Sequence, residues 1–188
     1  YYGDWICNEA FKKIGNLYPK IRISEKTVTF KRDLEPYLGQ EFTVIAWMFA
    51  RTIKSPDPAF SNVKVPLAST FMLSTKKGRE AYLVPEKLGQ DYRFKVKVGL
   101  PDNLEEVKKG TKSARGPNFT CIMSGAAING SYIKEESKEG RLGNIMMAII
   151  ADGPKGRIYL EPCNEHEFFL NDIKPVWRPS CEMSGSTQ

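Results

Sequence analysis

Histidine is almost absent from this chain of 188 residues, where His166 stands alone. One imidazole cannot supply the paired histidines of a helical metal site. No serine or cysteine can be assigned to it as a nucleophile with its base, so the chain by itself is not expected to be an enzyme. Cysteine is scarce too. Cys7, Cys121, Cys163 and Cys181 are dispersed, which argues against a disulfide framework and for a reducing, cytoplasmic setting. No apolar run approaches the ~20 residues of a helical bilayer span, and no signal peptide is recognisable, so no membrane partner is expected. The apolar run over residues 145–151 suits a buried strand. Internal repeats and low-complexity tracts are missing as well. What remains is 41% hydrophobic and 27% charged, enough for one domain, or two small ones, with a buried core. The chain opens on Tyr1-Tyr2-Gly3-Asp4-Trp5 rather than methionine and trails off in Ser184-Gly185-Ser186. That reads as a piece of a larger polypeptide, with N-terminal processing as the alternative.

Charge is present in one sign more than the other. The net formal charge is +6, and between residues 74 and 116 eleven lysines and arginines stand against six acids. Nearly all the excess therefore lies in under a quarter of the chain, and localised positive charge favours polyanions such as nucleic acid.

Periodicity predicts the elements. Trp5, Ile6, Ala10, Ile14, Leu17 and Tyr18 recur near helical spacing opposite Asp4, Asn8, Lys12 and Lys13, so residues 1–18 read as an amphipathic helix stopped by Pro19. Residues 20–40 are polar, irregular or short strands. Residues 41–53, rich in β-branched and aromatic types, suit a long buried strand. Ser55-Pro56-Asp57-Pro58 must turn, because prolines so spaced fit neither helix nor ladder. Strands are expected at 66–73, 79–84 and 91–98, with Lys76-Lys77-Gly78 as the hairpin between the first two. In the last, Tyr92, Phe94, Val96 and Val98 alternate with Arg93, Lys95 and Lys97. A polar connection over 102–117, a strand and turn at 118–125, and a short helix near 130–139 follow. A hairpin of 144–151 with 156–161 comes next, then a short helix capped at Asn164 with Glu167 three residues on. The expected class is α+β, mainly antiparallel sheet with short flanking helices. The expected division is an N-terminal helix and connection over 1–40 and a β-rich domain over 41–188.

Cys121-Ile122-Met123-Ser124-Gly125 is a C-x-x-C-G zinc knuckle with its second thiolate replaced by a hydroxyl, a much poorer ligand. It suggests a zinc-ribbon-like core running without its metal. The alternative is that Cys121 is a small buried hydrophobe.

Several blocks occur in one order: Tyr1 to Trp5 with Ile14 to Pro19, Thr43 to Trp47 with Ala50 to Lys54, and Val65 to Leu67 with Leu73 to Gly78. After them come Cys121 to Gly125, Tyr132 to Lys134, Gly140 to Gly143 and Gly156 to Leu160. Over most of the chain these resemble the large prokaryotic adenine-specific DNA methylases that carry a zinc-ribbon segment and an uncharacterised N-terminal domain. The resemblance implies an inserted region between two halves of an S-adenosylmethionine-dependent methyltransferase. Neither that enzyme's glycine-rich cofactor motif nor its catalytic Asp-Pro-Pro-Tyr occurs here. No cofactor is therefore expected on this chain, while S-adenosylmethionine is implied for the parent. The resemblance also implies a second cysteine pair at Ser55 and Phe60, so three of four thiolates are missing and no stoichiometric zinc is expected.

The implied partners are double-stranded DNA and the flanking methyltransferase segments of the same polypeptide. Arg93, Lys95 and Lys97 on one strand face, with Lys76, Lys77 and Arg79 in the hairpin, are the first candidates for phosphate contact. Cations at alternate strand positions are spaced much like successive phosphates. The alternative is a solvated edge whose lysines discourage strand pairing. Lys112, Arg115 and Arg141 are further candidates on loops beside glycines, or else surface salt bridges. His166 could be a general base between Glu165 and Glu167, but helix N-terminal carboxylates explain both acids without chemistry. Trp5, Trp47 and Trp177 are read as core or docking residues. The rival to a DNA-binding module is a structural or protein-interaction module of a restriction or phage-defence protein.

Overall fold

The computed structural model describes residues 1–15 and 19–172. In chain order its elements are α1 (Tyr2–Ile14), β1 (Lys20–Arg22), α2 (Glu25–Phe30), a 3₁₀ segment at Arg32–Tyr37, β2 (Glu41–Lys54) and a 3₁₀ turn at Pro58–Phe60. Next are β3 (Lys64–Pro66), β4 (Met72–Ser74), β5 (Ala81–Leu88), β6 (Asp91–Val98) and α3 (Leu104–Lys109). The chain continues through β7 (Lys112–Ala114), β8 (Asn118–Thr120), β9 (Ala127–Ile128) and α4 (Gly130–Lys138), and ends with β10 (Gly143–Gly153), β11 (Gly156–Leu160) and α5 (Asn164–Asp172). The class is α+β, with antiparallel sheets and short helices. No helix among the described residues is long and apolar enough to cross a membrane.

The apolar run predicted as a buried strand lies at the centre. β10 pairs with β2 on one side and β11 on the other, while β1 and β3 pair with opposite ends of β2. A register shift between Met146 and Ala148 marks a bulge. The extra residue breaks the strict alternation of faces. Met146 and Ile149, three apart, therefore join one core with Ile23, Leu34, Phe42, Val44, Ile158 and Leu160. Met147 and Ala148 join the other, with Ala50, Ile53, Val65, Phe71, Leu83, Phe94, Val96 and Cys121. A strand buried on both faces needs an unbroken apolar sequence, and this one has it. Residues of β1, α2 and the following 3₁₀ segment pack into the first of these cores.

Two smaller sheets complete the second core. One is β4-β5-β6 and the other β7-β8-β9. The alternation over 91–98 holds for Tyr92, Phe94 and Val96, which are buried, but Val98 is exposed where the strand leaves the core. The expected strand over 66–73 is broken into β3 and β4. Between them Leu67 N–H donates to Arg51 O, Ala68 N–H to Thr111 Oγ1 and Phe71 N–H to Val107 O, so successive residues serve three different segments. The expected strand over 79–84 starts later and runs on to Leu88, in register with β6 as far as Leu88 opposite Asp91. Pro85 is tolerated because β4 pairs only with the start of β5, leaving the far edge without a strand there.

The connection at 102–117 holds α3 and β7. Asn103 Oδ1 accepts from Glu106 N–H while Asn103 Nδ2 donates to Glu106, acids fill the first turn, and lysines fill the last. The predicted N-terminal helix spans Tyr2–Ile14, and none of its residues is buried. Trp5 is 58% and Phe11 74% exposed. Leu17, Tyr18, Trp177 and Cys181 lie outside the described residues.

Candidate nucleic-acid interface

Lys76, Lys77 and Arg79 sit on the turn between β4 and β5. Arg79 N–H donates to Lys76 O at 2.8 Å, and Gly78 takes φ 73°, a conformation that costs glycine little. The Arg79 guanidinium lies directly against Gly156, where an added side chain would have to push it aside. That contact brings the β4–β5 turn beside the β10–β11 turn, which carries exposed Lys155. Lys97 lies on β6 opposite Tyr82, one strand away from the same turn. Among the described residues none of Lys76, Lys77, Arg79, Lys97 or Lys155 is ion-paired with a carboxylate.

The other candidates are engaged differently. Glu86 stands opposite Arg93 across the β5–β6 ladder. Its Oε2 accepts from Arg93 Nε and Nη2, each at 2.7 Å, and its Oε1 lies 2.8 Å from Lys95 Nζ. Hydrogen bonds from Lys95 and Arg93 hold this carboxyl below its usual range. Arg141, just beyond α4, grips Glu136 through Nη2 at 2.7 Å and Nε at 3.1 Å, with Glu139 3.6 Å away. Lys112 is half-buried in β7 opposite Phe119, and Arg115 is exposed on the turn into β8, its carbonyl accepting from Asn118. These three residues sit on elements other than the hairpin corner. Lys87 is also spent inwardly, on the Met123 carbonyl at 2.9 Å.

The near-miss knuckle folds as a tight turn. Gly125 N–H donates to Cys121 O, Cys121 N–H donates to Ala126 O, and Gly125 takes φ 76°. Ser55, distant in sequence, comes to it: its Oγ donates to Cys121 Sγ at 3.3 Å and accepts from Asp57 N–H. Phe60 packs against the same core. Burial pushes the Cys121 thiol up, but donors from Ser55, Ser124 and Met123 outweigh it and leave the thiol below its usual range. Cys121 is thus a buried residue, 2% exposed, with its sulfur as a hydrogen-bond acceptor. Zinc does not fit one thiol, two hydroxyls and a phenyl ring. No metal-binding group of acids, cysteines or histidine exists among the described residues.

His166 is buried at the start of α5, and Trp47 Nε1 donates to its Nδ1 at 2.8 Å. The acceptor nitrogen must be unprotonated, and burial lowers the imidazole pKa despite Glu165. This histidine is a packing partner whose basic lone pair is already used. It borders a cleft of about 2010 Å³ between the β1–α2 region and β6. Carboxylates match the cations along its walls, for example Glu25, Glu41 and Glu161 beside Lys20, Arg22 and Lys31, so it offers no excess field to a polyanion.

Lys31 is the residue that sequence reasoning passed over. It is only 7% exposed, and its Nζ donates to the Tyr159 carbonyl. Burial pushes its pKa down to about 8 against the opposing pull of Asp33 and Glu161. Nothing in the surrounding sequence marked it, because a lysine in a polar stretch reads as solvated. Comparison with protein-family models, curated proteins and solved structures finds no match for this chain.

Proposed function

We propose that the chain is a DNA-binding module that grips the phosphate backbone through the corner formed by the β4–β5 and β10–β11 turns. On the methylase resemblance, it would position duplex DNA for flanking segments that hold the methyl donor and the target adenine. A base that is methylated must leave the stack, and a grip on the surrounding backbone steadies the duplex while it does so. The observation that carries the reading is the convergence of Lys76, Lys77, Arg79, Lys97 and Lys155 without ion-paired carboxylates among the described residues. Unpaired cations are the ones whose counterion exchange contributes to affinity.

The test is duplex binding measured against salt. Three to four phosphate contacts give a slope of log affinity against log salt of about −3 to −4. Changing Lys76, Lys77 and Arg79 together to alanine should flatten that slope by about 2 to 3 and weaken binding at least ~10-fold at low salt. All three are exposed, so the variant should keep its fold. A duplex affinity indifferent to salt, or unchanged in the triple variant, overturns the reading.

One observation favours the rival, a protein-interaction module. Trp5, Ile6 and Phe11 of α1 are large apolar side chains left exposed, and exposed apolar side chains on a helix can serve as docking points.

A further inference from the structure

We infer that Glu86 is an internal occupant of an anion site, and that a phosphate group of the bound polyanion enters this site by displacing it. The inference rests on the phosphate-binding reading above and extends it to the strand face. Arg93 and Lys95, at alternate positions of β6, project from the face opposite buried Tyr92, Phe94 and Val96. Glu86 reaches them from β5, directly across from Arg93 and diagonal to Lys95. One carboxylate oxygen takes two guanidinium donors at 2.7 Å and the other takes the ammonium at 2.8 Å. Two anionic oxygens, one on a forked donor and one on a point charge, are what a phosphate diester also presents.

The site is open enough for exchange. The Arg93 side chain is 50% exposed and Glu86 34% exposed. Ion pairs at such exposure are weak, because water and salt compete for both partners. A phosphate arriving here keeps both cations paired and releases Glu86 to solvent, so displacement leaves no buried charge behind. Glu86 therefore sets affinity: it cancels one of the two strand charges and lowers attraction to every polyanion that the hairpin corner draws in. Two of the three cations predicted on this face are held in reserve, with Lys97 already available.

Glu86→Gln tests this, with inorganic pyrophosphate and a DNA duplex as separate probes. The neutral amide keeps the shape of the side chain, and the thermal midpoint is measured first to confirm folding. Pyrophosphate titration followed at the Arg93 Nε resonance should show at least ~5-fold tighter binding in the variant than in the wild type. Duplex affinity should rise about 3- to 10-fold at low salt, with a slope steeper by about 1 for one added phosphate contact. Adding Arg93→Gln and Lys95→Gln, with pyrophosphate binding in all variants now compared by titration calorimetry, should cancel both gains. If the wild type binds duplex as expected but Glu86→Gln alters neither probe, the internal-occupant assignment fails while the hairpin reading stands. If pyrophosphate binding tightens at Arg93 but duplex binding is insensitive to salt in both proteins, the anion site stands and the DNA reading fails. Gains that persist without Arg93 and Lys95 also overturn the assignment, because the added affinity then lies elsewhere.

Discussion

Lys31 carries a large electrostatic cost in the folded state. Its ammonium is desolvated, and Asp33 and Glu161 compensate only in part, so the folded pKa falls from 10.5 to about 8. The sign follows from proton binding. Between those values the unfolded chain holds more protons than the folded one, so stability rises with pH across that window. Below pH 8 the full penalty is present, about 3 kcal/mol for a shift of this size. Lys31→Met removes the charge and also the hydrogen bond to Tyr159, worth about 1 kcal/mol. The variant should be more stable than the wild type at pH 7 by roughly 1–2 kcal/mol in urea unfolding. The difference should shrink as pH climbs from 8 towards 10.5. A variant less stable at pH 7 would show that the Tyr159 contact outweighs the buried charge.

Among elements, the turn at Cys121–Gly125 shows how a tight turn around a single buried cysteine is held. Ser55 Oγ donates to the Cys121 sulfur, hydrogen bonding from Ser124 and Met123 further favours its thiolate, and Phe60 packs against the same core. Ser55 is the tie that spans the fold, since it joins the end of β2 to the knuckle. Ser55→Ala removes a donor to Cys121 and the acceptor for Asp57 N–H, both at a buried residue. The expected loss is about 1–2 kcal/mol in denaturant unfolding. Combined with Cys121→Ala the losses should be less than additive, because each removes the same bond. Strict additivity would mean that the Ser55–Cys121 contact contributes nothing. Atomic absorption of the purified protein should find no stoichiometric zinc, and an equivalent resistant to chelation would contradict the ligand argument.

For the whole molecule, stability resides in the two cores on either side of β10, and α1 contributes no buried residue to either. Removing residues 1–15 should therefore cost under ~1 kcal/mol and move the thermal midpoint by less than about 3 °C. Cooperative loss of the fold on truncation would show that the helix packs where its exposure says it does not. The same truncation separates the two functional readings. A DNA grip built on the hairpin corner should keep its salt-dependent affinity without α1, whereas docking through the helix should be lost.

Much of the architecture was legible in local chemistry. The long β-branched run of β2, the apolar run of β10, the alternation of β6 and the turns at Lys76–Arg79 and Asp152–Gly156 are short-range patterns, and they form as the spacing predicts. The cap at Asn103 was equally local and was missed because α3 is only six residues long, too short to show helical periodicity. The candidate site was less legible. Sequence placed the cations on a strand and a turn, but which of them are neutralised depends on Glu86 reaching across a ladder and on Glu136 lying beside Arg141.

By itself the sequence determined the class of elements, their approximate order and the basic character of residues 74–116, because hydrophobic period and formal charge are properties of neighbouring residues. Only the tertiary structure decided that Ser55 meets Cys121, that Arg79 lies on Gly156, that Trp47 occupies the one histidine, and that Lys31 is buried. Each of those contacts joins segments far apart in the chain, and long-range packing sets burial, pairing and protonation together.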